Sequence, residues 1–261
     1  MPAIRQPAVA GLFYPEDAPT LKSFIINTLN QAQPKDIIPR AIIAPHAGYI
    51  YSGEVAASAY KLLEPLRNKM TRVVLLGPTH RVAIYGCAVP ETESFRTPLG
   101  DIPIDTDAVK LLAEKPNVHR NDFAHKNEHS LEVHLPFLQT VLNKFSLVPI
   151  VVGDMSMEAV MELLELFWDD PATLIVVSSD LSHFHDYEAA KKIDQQTTQL
   201  IEQLQSGAIS GEMACGAYPL NGLLSLAKKH NLHCETLDHR SSGDTAGDKH
   251  RVVGYGAYAF Y

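Results

Sequence analysis

Three short aliphatic runs, each bounded by Gly, Pro or Ser, deliver a histidine into turn chemistry. Ala41-Ile42-Ile43-Ala44-Pro45 leads to His46, and Arg72-Val73-Val74-Leu75-Leu76-Gly77-Pro78-Thr79 leads to His80. Leu174-Ile175-Val176-Val177-Ser178-Ser179-Asp180-Leu181-Ser182 leads to His183. Near-continuous apolar runs of this length read as strands buried on both faces. Ligands of open α/β sheets bind just outside the carboxyl ends of such strands. If these strands are parallel neighbours, the imidazoles meet at one edge and form a shared metal or acid–base site.

Between the runs the apolar period becomes helical. Helices are predicted over 20–31, with Leu21, Phe24, Ile25 and Leu29 on one face, and over 52–63 with Ser52 as the N-cap. Others are predicted over 105–114, over 130–143 with Leu131, His134, Leu135 and Leu138 as its stripe, and over 156–168 behind a Ser156 cap. The last two span 187–204 and 218–230. Strands are predicted at 37–44, 72–76, 145–152 and 173–177, and short ones at 86–90 and 101–104 around a polar turn, 91–100. Closing strands follow at 233–237 and 251–260. This interleaving predicts an α/β fold: a single three-layer domain with a central mixed, mostly parallel sheet.

Composition narrows the choice of partner. With 46% apolar and 20% charged residues over 261 positions, the chain is expected to be globular and to bury a sizeable core. A net charge of −8 without a basic cluster argues against nucleic acid or an anionic membrane as partner. No run approaches the ~20 apolar residues of a membrane helix. The start of the chain lacks a signal-peptide core, and Cys87, Cys215 and Cys234 frame no disulfide scaffold, so a cytoplasmic location is expected. Cys87 and Cys234 fall inside predicted strands and read as core. His119, His125, His230, His233 and His250 lie in polar, turn-like surroundings and read as surface.

Five segments carry candidate chemistry. After His46, Gly48 lets backbone approach a ligand, and Tyr49 and Tyr51 flank the turn. Gly77-Pro78-Thr79-His80 repeats that design. Asp180 precedes His183 by three residues, where a carboxylate orients an imidazole, fixes its tautomer or binds metal. In Glu128-His129-Ser130-Leu131-Glu132-Val133-His134, Glu132 and His134 are two apart and do not share a helix face. His134 reads as a core histidine unless its segment lies against a polar site. Cys215, in Ala214-Cys215-Gly216-Ala217-Tyr218-Pro219, opens a helix, a setting that lowers a thiol pKa and suits a ligand or nucleophile. An inert buried cysteine is the other reading.

Together these segments resemble the Memo-like family over nearly the whole chain. The likeness runs from Arg5-Gln6-Pro7-Ala8-Val9-Ala10-Gly11-Leu12-Phe13-Tyr14-Pro15 through the His46, His80, Glu128–Phe137 and Ser178–His183 segments to Cys215-Gly216. It implies one Memo-like domain over 1–261, similar in fold to class III extradiol dioxygenases, the non-haem iron enzymes that open catechol rings with O₂. It further implies His46, His80 and Cys215 as metal ligands and His183, with Asp180 beside it, as the acid–base pair. Phe13, Tyr49 and His134 become substrate-facing candidates. Fe(II) is the cofactor that this resemblance implies. Those dioxygenases use a carboxylate as third ligand, and a cysteine in its place admits copper or zinc.

Three functions fit this reading. One is O₂-dependent oxidation of a small aromatic substrate, with His183 moving the proton. A non-enzymatic signalling protein that binds metal or a phosphopeptide in the same cleft is the second. The third is a zinc hydrolase with water in the open position.

Overall fold

The structure, a computed structural model, describes residues 3–261. It begins with β1 (Ile4–Arg5), α1 (Ala18–Gln31), β2 (Ala41–Ala44), α2 (Tyr49–Tyr60), β3 (Arg72–Pro78) and β4 (Cys87–Val89). β5 (Ser94–Thr97), β6 (Gly100–Pro103), α3 (Thr106–Ala113), β7 (Val118–Arg120) and α4 (Asp122–Lys126) follow. Next come α5 (Leu135–Val141), β8 (Ser146–Val152), α6 (Met157–Glu165), β9 (Thr173–Ser178) and β10 (His183–His185). The chain closes with α7 (Tyr187–Glu202), α8 (Ala217–Lys229), β11 (Cys234–Ser241) and β12 (Val252–Phe260).

Nine strands form the main sheet in the order β10-β12-β2-β9-β3-β8-β4-β7, with β11 also paired to β12. β9 lies between β2 and β3 and runs parallel to both, so the runs ending in His46, His80 and His183 are neighbours pointing one way. β12 pairs antiparallel with β10, β11 and β2, and β4 with β8, while β4 and β7 run parallel, which makes the sheet mixed. Ile42, Val74, Val148 and Val176 on the parallel strands are fully buried. Each such side chain stabilises the fold by roughly 1.5–3 kcal/mol. Helices α1, α2 and α5 pack on one another, and α2 lies against β2 and β12. α6 packs on α8, which lies against β3 and β9, completing a three-layer α/β domain.

Several elements differ from expectation, each for a local reason. β2 starts at Ala41 rather than 37, because Pro39 has no N–H for the ladder and Ile38 faces solvent. α2 starts at Tyr49 behind Gly48, so Ser52 is a buried first-turn residue whose Oγ donates to Ala47 O at 3.0 Å. The 91–100 turn contains β5, an alternating strand whose buried Phe95 is masked by polar neighbours; with β1 and β6 it makes a separate three-stranded sheet. Residues 130–143 are no continuous helix. A 3₁₀ turn, Glu132–His134, precedes α5, and Pro136 sits in the first turn, where its missing N–H is tolerated. His125 is buried rather than on the surface, its Nε2 3.1 Å from Ala88 O. Cys87 is core, but Cys234 on β11 is half-buried. Among the described residues no helix is long and apolar enough to cross a membrane.

Candidate metal centre

His46 leaves β2 fully buried, and its hydrogen bonds determine its tautomer. Ser178 Oγ, at the end of β9, donates to Ser130 O at 2.6 Å. With its proton committed, that hydroxyl accepts from His46 Nδ1, also at 2.6 Å. Burial, then the neighbouring His80 and His129, hold this imidazole well below its usual pKa. His46 is therefore neutral, and its Nε2 lone pair faces Cys215 Sγ at 3.4 Å.

His80, at the end of β3, reaches the same arrangement with a different partner. Its backbone N–H donates to Glu128 Oε2 at 2.5 Å and its Nδ1 to Glu128 Oε1 at 2.9 Å. A carboxylate only accepts, so Nδ1 carries the proton and Nε2 is free. His129 N and Ser130 N each donate to Oε1 at 2.9 Å. Burial works to raise the Glu128 pKa, but the His80 hydrogen bond and its companions outweigh it and pull it down to about 2.

Cys215 closes the set from the turn before α8. Gly216 permits the approach: a Cβ there would lie 2.7 Å from Ser178 O and from Ser179 Cβ. Contrary to the helix-start expectation, burial and then the Asp180 charge push the thiol up to about 12. Donor atoms of His46, His80 and Cys215 all lie within 4.8 Å of one another. The fit to a metal is good: two imidazoles have Nδ1 already engaged, and their rings stand beside a thiol whose proton a bound ion displaces. Two nitrogens and one sulfur suit iron, copper or zinc. His80, Glu128 and His129 form a second close group, but the Glu128 oxygens already take four donors, which makes it an orienting partner for His80.

The remaining candidates divide. Asp180 is buried; its Oδ1 accepts from His46 N at 2.8 Å and its N–H donates to Cys215 Sγ at 3.3 Å. Burial pushes its carboxyl pKa upward, against the pull of His183. His183 stands at the start of β10, on the same sheet edge, with Nδ1 2.8 Å from Leu181 O. Phe13 is half-buried, with its ring 4.8 Å from that of His129.

Tyr49 and His134 are both buried in the core. Tyr49 is 3% exposed, packs among Tyr14, Phe24 and Phe137, and donates its hydroxyl to Val133 O at 2.8 Å. His134 is buried, with Nδ1 2.8 Å from Tyr60 OH, and burial pushes its pKa down to about 3. The histidine missed was His129. Its ring centroid lies 4.7 Å from that of His80 and 5.5 Å from that of His46. Burial, opposed by Glu128, lowers its pKa to about 4, and its buried Nδ1 has no hydrogen-bond partner. Its adjacency to Glu128 was the available signal.

A profile described as Memo-like protein matches residues 5–259. The chain belongs to the Memo-like family. A MEMO1 family protein of Aquifex aeolicus is 36% identical over 265 residues, covering 97% of each chain. One of Methanopyrus kandleri is 34% identical, covering 98% of each. The solved structure of an uncharacterized Escherichia coli K12 protein shares the fold with a TM-score of 0.51 at 12% identity, covering 84% of this chain and 99% of that one.

Proposed function

We propose that this Memo-like chain is a metal-dependent, dioxygenase-like protein. In this reading His46, His80 and Cys215 hold one Fe(II), with copper or zinc as the alternatives a thiolate admits, and a small aromatic molecule enters beside Phe13. One observation carries it: both imidazoles have Nδ1 engaged by a fixed acceptor, Ser178 or Glu128, leaving both Nε2 atoms free within reach of one thiol. Bound there, iron supplies the redox chemistry for O₂-dependent oxidation of an electron-rich ring.

The chain's own residues do the rest. Leu181 O accepts from His183 Nδ1, so the lone pair of His183 is on Nε2, where it takes a proton from a phenolic hydroxyl. Asp180 fixes the backbone of His46 and the sulfur of Cys215. Phe13 and His129, with their rings 4.8 Å apart, form one wall beside which a flat ring stacks.

The test is O₂ uptake by the Fe(II)-loaded protein with catechols, comparing wild type with His183→Ala. A loss of about 100-fold or more with iron retained is expected of a removed acid–base group. Turnover unchanged by that substitution contradicts the assignment. Iron binding with no O₂ uptake on any catechol favours the metal- or peptide-binding alternative.

A further inference from the structure

The Asp180–His183 loop is fixed differently at its two ends. Asp180 is tied into the metal centre through His46 N and Cys215 Sγ. At the other end, Leu181 N donates to Gly254 O at 2.8 Å and Gly254 N donates to Ser182 O at 2.9 Å. A side chain from another element also holds this end: Asp194 Oδ1 accepts from Ser182 N at 2.9 Å.

Asp194 is an unusual residue for its place. It sits within α7 on the face packed toward β12 and is 1% exposed, where a carboxylate is costly unless hydrogen-bonded. Its approach depends on Gly254, because a Cβ there would lie 2.0 Å from Asp194 Oδ2. Asp194 therefore grips the loop at the Ser182 backbone N–H, with the buried Ser182 side chain beside it. His183 follows directly. The next residue, Phe184, has a φ of 64°, and the pairing with β12 slips between His183 and His185. The direction of the His183 ring is thus decided within the few residues that Asp194 and Gly254 clamp.

We propose that Asp194 is a positioning residue: acting through Ser182 N–H across the bare backbone of Gly254, it aims His183 at the metal centre. The inference rests on the acid–base role assigned to His183 above. It separates two functions on one loop, since Asp180 serves the metal ligands and Asp194 serves the base.

The experiment compares Asp194→Ala, Asp194→Asn and Gly254→Ala in the Fe(II)-loaded full chain. It reads the His183 imidazole ¹⁵N signals, the exchange rate of the Ser182 amide, bound iron, and kcat and KM. Asp194→Ala should speed Ser182 exchange and lower kcat by about tenfold each, the scale of one lost hydrogen bond, with KM within about twofold and iron unchanged. Asp194→Asn keeps an acceptor oxygen and should restore most of both. Gly254→Ala should displace the carboxylate and reproduce the Ala effect, and it decides the matter if Asp194→Ala does not fold. His183 signals and Ser182 exchange identical to wild type in the folded variants overturn the proposal. If wild type shows no turnover, shifted His183 signals in Asp194→Ala still establish the positioning role while the oxidative reading fails.

Discussion

Glu128 and Glu132 stand four residues apart, both buried and both accepting hydrogen bonds on both oxygens, yet they serve different parts of the molecule. Glu128 takes His80 N, His80 Nδ1, His129 N and Ser130 N, and so orients a candidate ligand. Glu132 takes Arg5 Nη1, Ala8 N at 2.8 Å, Val9 N at 3.0 Å and Tyr14 OH at 2.6 Å. It fastens the 5–14 arm to the body, and the arm places Phe13, whose carbonyl accepts from Tyr49 N at 2.7 Å. What each carboxylate does is set by its donors. An imidazole with a second, free nitrogen makes the first part of the candidate metal site, whereas a guanidinium and a phenol make the second part of the scaffold.

The sharpest way to break this contrast is Glu132→Ala. It leaves the buried Arg5 uncompensated, and urea unfolding should show a loss of roughly 3–5 kcal/mol. Glu128→Ala should instead act on the ion. Chelator competition is expected to show about 10–100-fold weaker metal binding, with the ligands themselves intact. The same substitution should flatten the acid limb of stability. With its pKa lowered from 4.5 to about 2, Glu128 contributes stability that is fully present above pH 4.5 and is lost as pH falls through 2.

Metal binding should itself depend on pH. The Cys215 thiol, pushed up to about 12, gives up one proton per ion bound, so apparent affinity should rise about tenfold per pH unit near neutrality. A pH-independent affinity would show that the thiol is no ligand. The smallest effect is expected at Tyr49, where removing the hydroxyl in Tyr49→Phe should cost about 1 kcal/mol and leave metal affinity unchanged. A large change in affinity would return Tyr49 to the site.

The central strands were legible because strands buried on both faces must be continuously apolar, and the histidines at their ends followed from the parallel order. Cys215 had a weaker signal: its helix start left ligand, nucleophile and inert core open, family resemblance chose the ligand, and the turn before α8 meets β9 only in the folded chain. His129 and His134 show the limit most clearly. Helical spacing put His134 on the apolar stripe, where it lies against Tyr60. The polar-looking His129 is the one that packs against the rings of both His46 and His80, because Glu128 turns that segment toward His80. The Glu132 anchor joins residues more than a hundred positions apart and has no local pattern.

The most direct measurement is the iron stoichiometry of anaerobically purified, Fe(II)-loaded protein, with X-ray absorption to count sulfur ligands, in wild type and Cys215→Ala. One ion per chain with one sulfur neighbour, lost in the variant, is the expected result. Wild type that holds no iron, copper or zinc after loading, or an ion that Cys215→Ala retains unchanged, would contradict the His46, His80, Cys215 centre.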